Sequence, residues 1–314
     1  MLQSENVVDS LNNMQPKNKE AGSSRILNTW IAQAERQIGA DAGRLGWLVA
    51  STIVAAKLQQ VTDESKQPIF LLKGGTLLQH LIPEHSRATK DLDGLLRADL
   101  EVFMAALDIE LCKPWEYLSF HRGPVKEISV PHKSINPRRF GVTISIKGVI
   151  WRTIQVEISP PEGNAGNFIE KIASPRLDGL GLPRPDDLAC LSMSYQIAQK
   201  LHAVSDAHDP PGAINDRVRD VVDLLLLREL IHEVNGPEYQ SIQRASIDTF
   251  ETRAQEAKQN STPARNWPPT IVANPHWRDE FTTLSKSVGI THTLEEATEV
   301  LNNWVIEISQ SPSC

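Results

Sequence analysis

Phe70-Leu-Leu-Lys-Gly-Gly-Thr76, followed by Arg87-Ala-Thr-Lys-Asp-Leu-Asp93, decides the reading of this 314-residue chain. Pro68-Ile-Phe-Leu-Leu72 is a short apolar run halted at Lys73-Gly74-Gly75, which predicts a buried strand ended by a turn. Gly74 and Gly75 permit backbone dihedrals that bulkier residues avoid, and they let a ligand approach the main chain closely. Thr76-Leu-Leu-Gln-His-Leu-Ile82 then has apolar residues at helical spacing, with Pro83 marking its end. Unpaired N–H groups and the positive dipole end at the start of such a helix suit phosphate groups.

The acidic pair downstream sharpens this. If Asp91-Leu-Asp-Gly-Leu-Leu96 is extended, Asp91 and Asp93 share one face and Leu92 takes the other. Their Cα atoms then lie roughly 6.5 Å apart, twice the rise per residue. Carboxylates so placed suit Mg²⁺, or Mn²⁺ in its stead, which take oxygen ligands and keep phosphates and waters in the remaining positions. Two such ions about 4 Å apart activate an attacking oxygen and stabilise a leaving pyrophosphate. Val149-Ile-Trp-Arg-Thr-Ile-Gln-Val-Glu-Ile158 supplies a third acid. Its alternation predicts Ile150, Ile154, Val156 and Ile158 on one face, with Arg152 the exception, and Trp151, Thr153, Gln155 and Glu157 on the other. Glu157 then projects from the polar face, where a neighbouring strand can bring it to Asp91 and Asp93 as metal ligand and acceptor of a hydroxyl proton. The predicted chemistry is attack by a hydroxyl on the α-phosphate of a nucleoside triphosphate.

A second block lies downstream. Asp186 to Val204 reads as one helix with acidic residues at its start to complement the dipole. Lys200 lies one turn after Gln196, on a stripe less apolar than that of Ile197, Leu201 and Val204. In the next helix Asp220 and Asp223 share a face within the apolar run from Val218 to Leu230. Carboxylates on a largely buried helix need partners, and Lys200, Arg217 and Arg219 are the candidates. A plain salt bridge tying two helices together is the structural alternative, and it does not exclude catalysis.

Lys-Gly-Gly-Thr at 73–76, then Arg-x-Thr-x-Asp-x-Asp at 87–93, resembles the AbiEii/AbiGii abortive-infection nucleotidyltransferase toxins of the DNA polymerase β-like nucleotidyltransferase superfamily. Gln199-Lys-Leu-His-Ala203 and Arg217-Val-Arg-Asp-Val-Val-Asp-Leu224 resemble that family's lysine helix and its downstream Arg-Asp-x-x-Asp helix. The resemblance implies that Gly74, Gly75 and Thr76, with Lys73 and Thr89 beside them, hold the triphosphate of a nucleoside triphosphate. It implies that Asp91 and Asp93 bind metal, with Glu157 at the third-carboxylate position, which varies in the family. Lys200 would contact the nucleotide phosphates, and Asp220 or Asp223 would complete its surroundings. The implied fold is α/β (α+β): a nucleotidyltransferase-fold small mixed sheet with flanking helices, followed by a helical C-terminal domain. The implied role is the toxin half of a toxin–antitoxin pair, with the tRNA 3′ end as acceptor and a cognate antitoxin as partner.

Composition agrees. Forty per cent hydrophobic content is enough for a full core, and no run approaches the roughly 18 apolar residues of a membrane span. Met1 to Ser24 is polar and lacks a secretory pattern, so residues 1–24 read as a flexible tail. Residues 25–180 then form the catalytic domain with N-terminal helices, and 181–314 the helical C-terminal domain, with the active site between them. Further helices are expected within Arg25 to Gln60, over Leu100 to Leu107, and from Leu294 to Ile308, with a loop or linker at 258–277. Cys112, Cys190 and Cys314 are scattered and odd in number, which argues for the reduced cytoplasm and against a disulfide scaffold.

The net charge of −7 sits awkwardly with an RNA substrate, although a local patch can still steer a polyanion. Arg122, Lys126, His132, Lys133, Arg138 and Arg139 are candidates for one, with Lys147 and Arg152 expected near Glu157. His232-Glu233 lacks a second histidine, and His202 and His208 match no standard metal spacing. Two other functions share much of this pattern. One is transfer to a small molecule such as an antibiotic, held in a compact acidic cleft. The other is a catalytically idle nucleotide-binding module, which has no need of the complete Asp91, Asp93 and Lys200 set.

Overall fold

The computed structural model describes residues 7–38, 43–82, 89–129, 135–211, 214–233 and 236–312. The chain opens with α1 (Val7–Asn13), α2 (Ser24–Ile38) and α3 (Arg44–Leu58). β1 (Phe70–Leu72) runs into α4 (Gly74–Leu81), and β2 (Asp91–Leu96) into α5 (Leu100–Leu111). Then come β3 (Leu118–Arg122), β4 (Lys126–Glu127), β5 (Arg138–Ile146), β6 (Val149–Ser159), β7 (Ile169–Ile172) and β8 (Leu188–Leu191). The remainder is helical: α6 (Met193–Val204), α7 (Val218–Glu233), α8 (Tyr239–Gln259), α9 (Arg278–Ser287) and α10 (Leu294–Ser309).

Among the described residues, eight strands form one mixed sheet in the order β3-β5-β6-β2-β1-β8-β7, with β4 beside β5. The pairs β2–β6 and β1–β8 are parallel. Period-two alternation gives each face its own core. Leu72, Leu92, Leu96, Val156 and Ile158 pack with Leu27 of α2, Ile53 of α3 and Phe103 of α5. Leu71, Leu95, Ala189 and Leu191 turn the other way, onto Tyr195 and Ala198 of α6 and Ala245 of α8. Asp91 and Asp93 share the parity of Leu95, so they face the helical half. A third core joins α6, α7, α8 and α10 around the fully buried Trp277 and Trp304. Behind β2, a Cβ at Gly94 would overlap the Phe70 ring, so β1 and β2 meet at a position only glycine fills. The architecture is thus a mixed α/β sheet flanked by helices and followed by a helical half.

Several expectations need correction. The tail is docked from residue 7: Leu11 and Ala21 are buried, and Asn12 Oδ1 accepts the Arg176 N–H at 2.8 Å. The helix expected from Asp186 begins only at Met193, because Leu188–Leu191 is β8. A four-residue run buried on both sides carries no periodicity to separate strand from helix. Asp186 and Asp187 are exposed before β8 and do not serve the α6 dipole. The sheet therefore continues past residue 180, where the catalytic half was expected to end. The alternation of β6 also breaks. Ser145 pairs with Ile150 and Ile144 with Arg152, so Trp151 is bulged and parity inverts before it. Trp151 is buried and Ile150 exposed, the reverse of the expectation. Pro83, Arg87, His132, Lys133 and Cys314 lie outside the described residues.

Candidate active site

One register line organises the site. β2 and β6 pair Asp91 with Gln155 and Asp93 with Glu157. β5 and β6 pair Glu157 with Arg139, and the Lys73 N–H donates to the Asp93 carbonyl at 3.0 Å. Directly paired residues project from the same face. Arg139, Glu157 and Asp93 therefore form a single row across β5, β6 and β2 that Lys73, just past β1, continues, positive at both ends and negative in the middle. Lys73 Nζ donates to Ser159 Oγ at 2.6 Å. Loss of water pushes the Asp93 carboxyl up to about 6. Glu157 and Asp91 add to that rise, while Lys73 and Lys200 oppose it.

The glycine turn closes against this row. Gly74 has φ of +66°, where side chains are disfavoured, and a Cβ there would lie 2.7 Å from Asp93 Oδ2. The Gly74 N–H donates to Gln196 Oε1 at 3.0 Å, joining the turn to α6. Lys73 stands at the N-cap of α4 without a side-chain cap, and Gly75 is buried in its first turn. Thr76, expected to help hold the triphosphate, follows in the same turn. It is fully buried, and its hydroxyl donates to the Asp91 carbonyl at 2.9 Å. Thr89 donates to the same carbonyl at 3.2 Å. Both threonines fix the start of β2.

Lys200 projects from α6 toward α7, where Nζ donates to Asp220 Oδ1 at 2.7 Å and Asp223 Oδ2 at 2.6 Å. Burial would lower its pKa, but the two carboxylates outweigh that and hold it above the ordinary value. It is a fixed positive charge, close enough to be felt by Asp93.

The donor set is of the kind a divalent cation takes: three carboxylates on adjacent strands, two in direct register. As the side chains stand, no group of three His, Cys, Asp or Glu among the described residues is gathered for an ion, and Glu157 is bonded to Arg139.

The expected basic patch is largely neutralised. Arg122 pairs with Asp108 at 2.6 Å, Arg138 with Glu127 at 2.8 Å, and Arg139 with Glu157. Lys126 is exposed. Lys147 is not near Glu157: it turns the β5–β6 hairpin, roughly 30 Å away at the usual rise per residue. Arg152 is half-buried against Gly46 and over the Trp151 ring.

Sequence reasoning passed over Ser159 and undervalued Gln196. Ser159 shares the parity of Glu157, and Gln196 lies one turn before Lys200, so period counting is the signal that could have found both.

No curated protein matches the chain. MenT4, a nucleotidyltransferase toxin from Mycobacterium tuberculosis H37Rv, is similar at 14% identity and a TM-score of 0.43, over 91% of this chain and 98% of that one. An antigenic nucleotidyltransferase-like protein from Paracoccidioides brasiliensis is similar at 13% identity and a TM-score of 0.36, over 70% of this chain and 94% of that one. The profile of the nucleotidyl transferase AbiEii toxin family of type IV toxin–antitoxin systems matches residues 57–303, well over half of the sequence. The chain belongs to the AbiEii family of nucleotidyltransferase toxins.

Proposed function

We propose that this nucleotidyltransferase moves a nucleoside monophosphate from a nucleoside triphosphate to a hydroxyl of an RNA acceptor, the tRNA 3′ end, with Mg²⁺ as its cation. The observation that carries the reading is the row Lys73–Asp93–Glu157 beside the Gly74 turn, with Lys200 opposite. Asp91, Asp93 and Glu157 would hold the cation, which when bound activates the attacking oxygen and offsets charge on the leaving pyrophosphate. Gly74 and Gly75 bring main chain close to the phosphates. Lys73 and Lys200 supply positive charge there, and Asp220 and Asp223 together keep Lys200 protonated and aimed. Glu157 accepts the proton of the acceptor hydroxyl as its oxygen bonds the α-phosphorus and the bond to the pyrophosphate oxygen breaks.

Membership of a toxin–antitoxin family implies an antitoxin partner. No described helix is long and apolar enough to cross a membrane, and we infer a cytoplasmic site of action. A catalytic half and a helical half flanking the site belong to the same proposal.

The test incubates purified protein with total tRNA, Mg²⁺ and each labelled triphosphate in turn, then resolves the RNA on denaturing gels. A labelled tRNA band is expected with the wild type and none with Asp93→Ala. Undiminished labelling by that variant would refute the site. One observation favours a small-molecule acceptor as the second reading: the pairing of Arg122, Arg138 and Arg139 leaves little basic groove beside the carboxylates. Labelling of an aminoglycoside and not of tRNA would establish it.

A further inference from the structure

The charged row ends on Arg139. Its Nε lies 2.7 Å from Glu157 Oε1, and Nη2 bonds the same oxygen. The two residues are direct partners on β5 and β6, so sheet register holds them together. Arg138, one residue back, is engaged separately by Glu127. The Arg139 side chain is 46% exposed and that of Glu157 25%, which puts the pair at the mouth of the site. The charges of Asp91 and Asp93, as well as that of Glu157, act on the guanidinium. The guanidinium thus meets the combined field of the three acids assigned to the cation. A metal ion that took the bonded oxygen of Glu157 would face this positive group at close range.

We propose that Arg139 is a displaceable counter-ion of the third carboxylate. It neutralises Glu157 until a divalent cation arrives, and cation binding moves the carboxylate from guanidinium to metal. Arg139 is a positioning residue, acting through Glu157. Exposure makes the exchange feasible, because a solvent-facing ion pair is weakly held. The satisfied and buried Lys200 cluster has no such freedom. The inference rests on the reading of Asp91, Asp93 and Glu157 as the cation-holding set.

The test titrates MnCl₂ into protein without nucleotide or RNA and reads free Mn²⁺ by electron paramagnetic resonance. Arg139→Gln is expected to tighten Mn²⁺ binding roughly three- to fivefold, the worth of one exposed ion pair. Arg139→Lys, which keeps the charge and loses the fork, is expected to fall between Gln and wild type, and it serves if the glutamine variant folds poorly. In a Glu157→Gln background most of the tightening should vanish. Affinity unchanged or weakened in both Arg139 variants overturns the proposal, as does equal tightening with Glu157→Gln present. If neither wild type nor variants bind Mn²⁺, the cation reading itself falls, and the counter-ion with it.

Discussion

The two halves of the molecule treat charge in opposite ways. In the helical half, Lys200 is enclosed by Asp220 and Asp223 at 2.7 and 2.6 Å, and the cluster is closed. In the sheet, Asp93 and Glu157 stand side by side in register with Asp91 close by. The cations of that row sit at its ends, Lys73 bonded to Ser159 and within the field of Asp93, Arg139 bonded to Glu157. A folded chain arranges its buried charges so that each finds a partner. Three acids gathered on neighbouring strands, one of them with its carboxyl pushed up by loss of water, make this the candidate binding place.

The contrast can be broken at several points. Asp93→Asn should reduce nucleotide transfer by roughly a thousandfold or more, as loss of a group that stabilises transition-state charge does. Initial incorporation rates measure this, and a tenth of the activity remaining would remove the sheet's claim to the chemistry. Asp223→Ala acts on the closed cluster, and should lower the unfolding free energy by about 3 kcal/mol, because it strips one partner from a buried ion. Urea melts indistinguishable from wild type would mean that cluster is not closed.

The same Asp93→Asn protein should be more stable than wild type near pH 7 without divalent cations. Asp93 has its pKa raised from 3.8 to about 6 on folding. Its favourable contribution is full below pH 4 and is lost as pH rises through 6. The shift implies roughly 3 kcal/mol. Melting temperatures across pH 4 to 7.5 should show the gap between variant and wild type widening upward, and a constant gap would contradict it. The smallest effect sharpens the contrast from the other side. Thr293 and Glu296 form a capping box on α10, so Thr293→Ala should cost about 1 kcal/mol of stability and leave the transfer rate unchanged. A slower enzyme would show that α10 does more than support.

Much of this was legible in the chain because it is local. Period two set Asp91 beside Asp93 and kept Glu157 on the right face. The same count failed at Ile150, since a bulge belongs to the pairing with β5 and not to β6 alone. Helical spacing found α4, yet the hydroxyl of Thr76 answers a carbonyl 15 positions away. Ser159 is 86 residues from Lys73, and Gln196 is 122 from Gly74. Such partners are fixed by topology, on which local periodicity is silent.

β2 and β6 run parallel, and a parallel neighbour is never reached by a tight turn. Residue 93 must wait for residue 157, and both must wait for 200, 220 and 223 to supply the facing lysine with its acids. A polypeptide still leaving the ribosome carries scattered carboxylates and unconnected lysines, with none of the assembly complete. If those residues are the machinery, it cannot assemble before residue 223 has been made, and a shorter nascent chain stays inert.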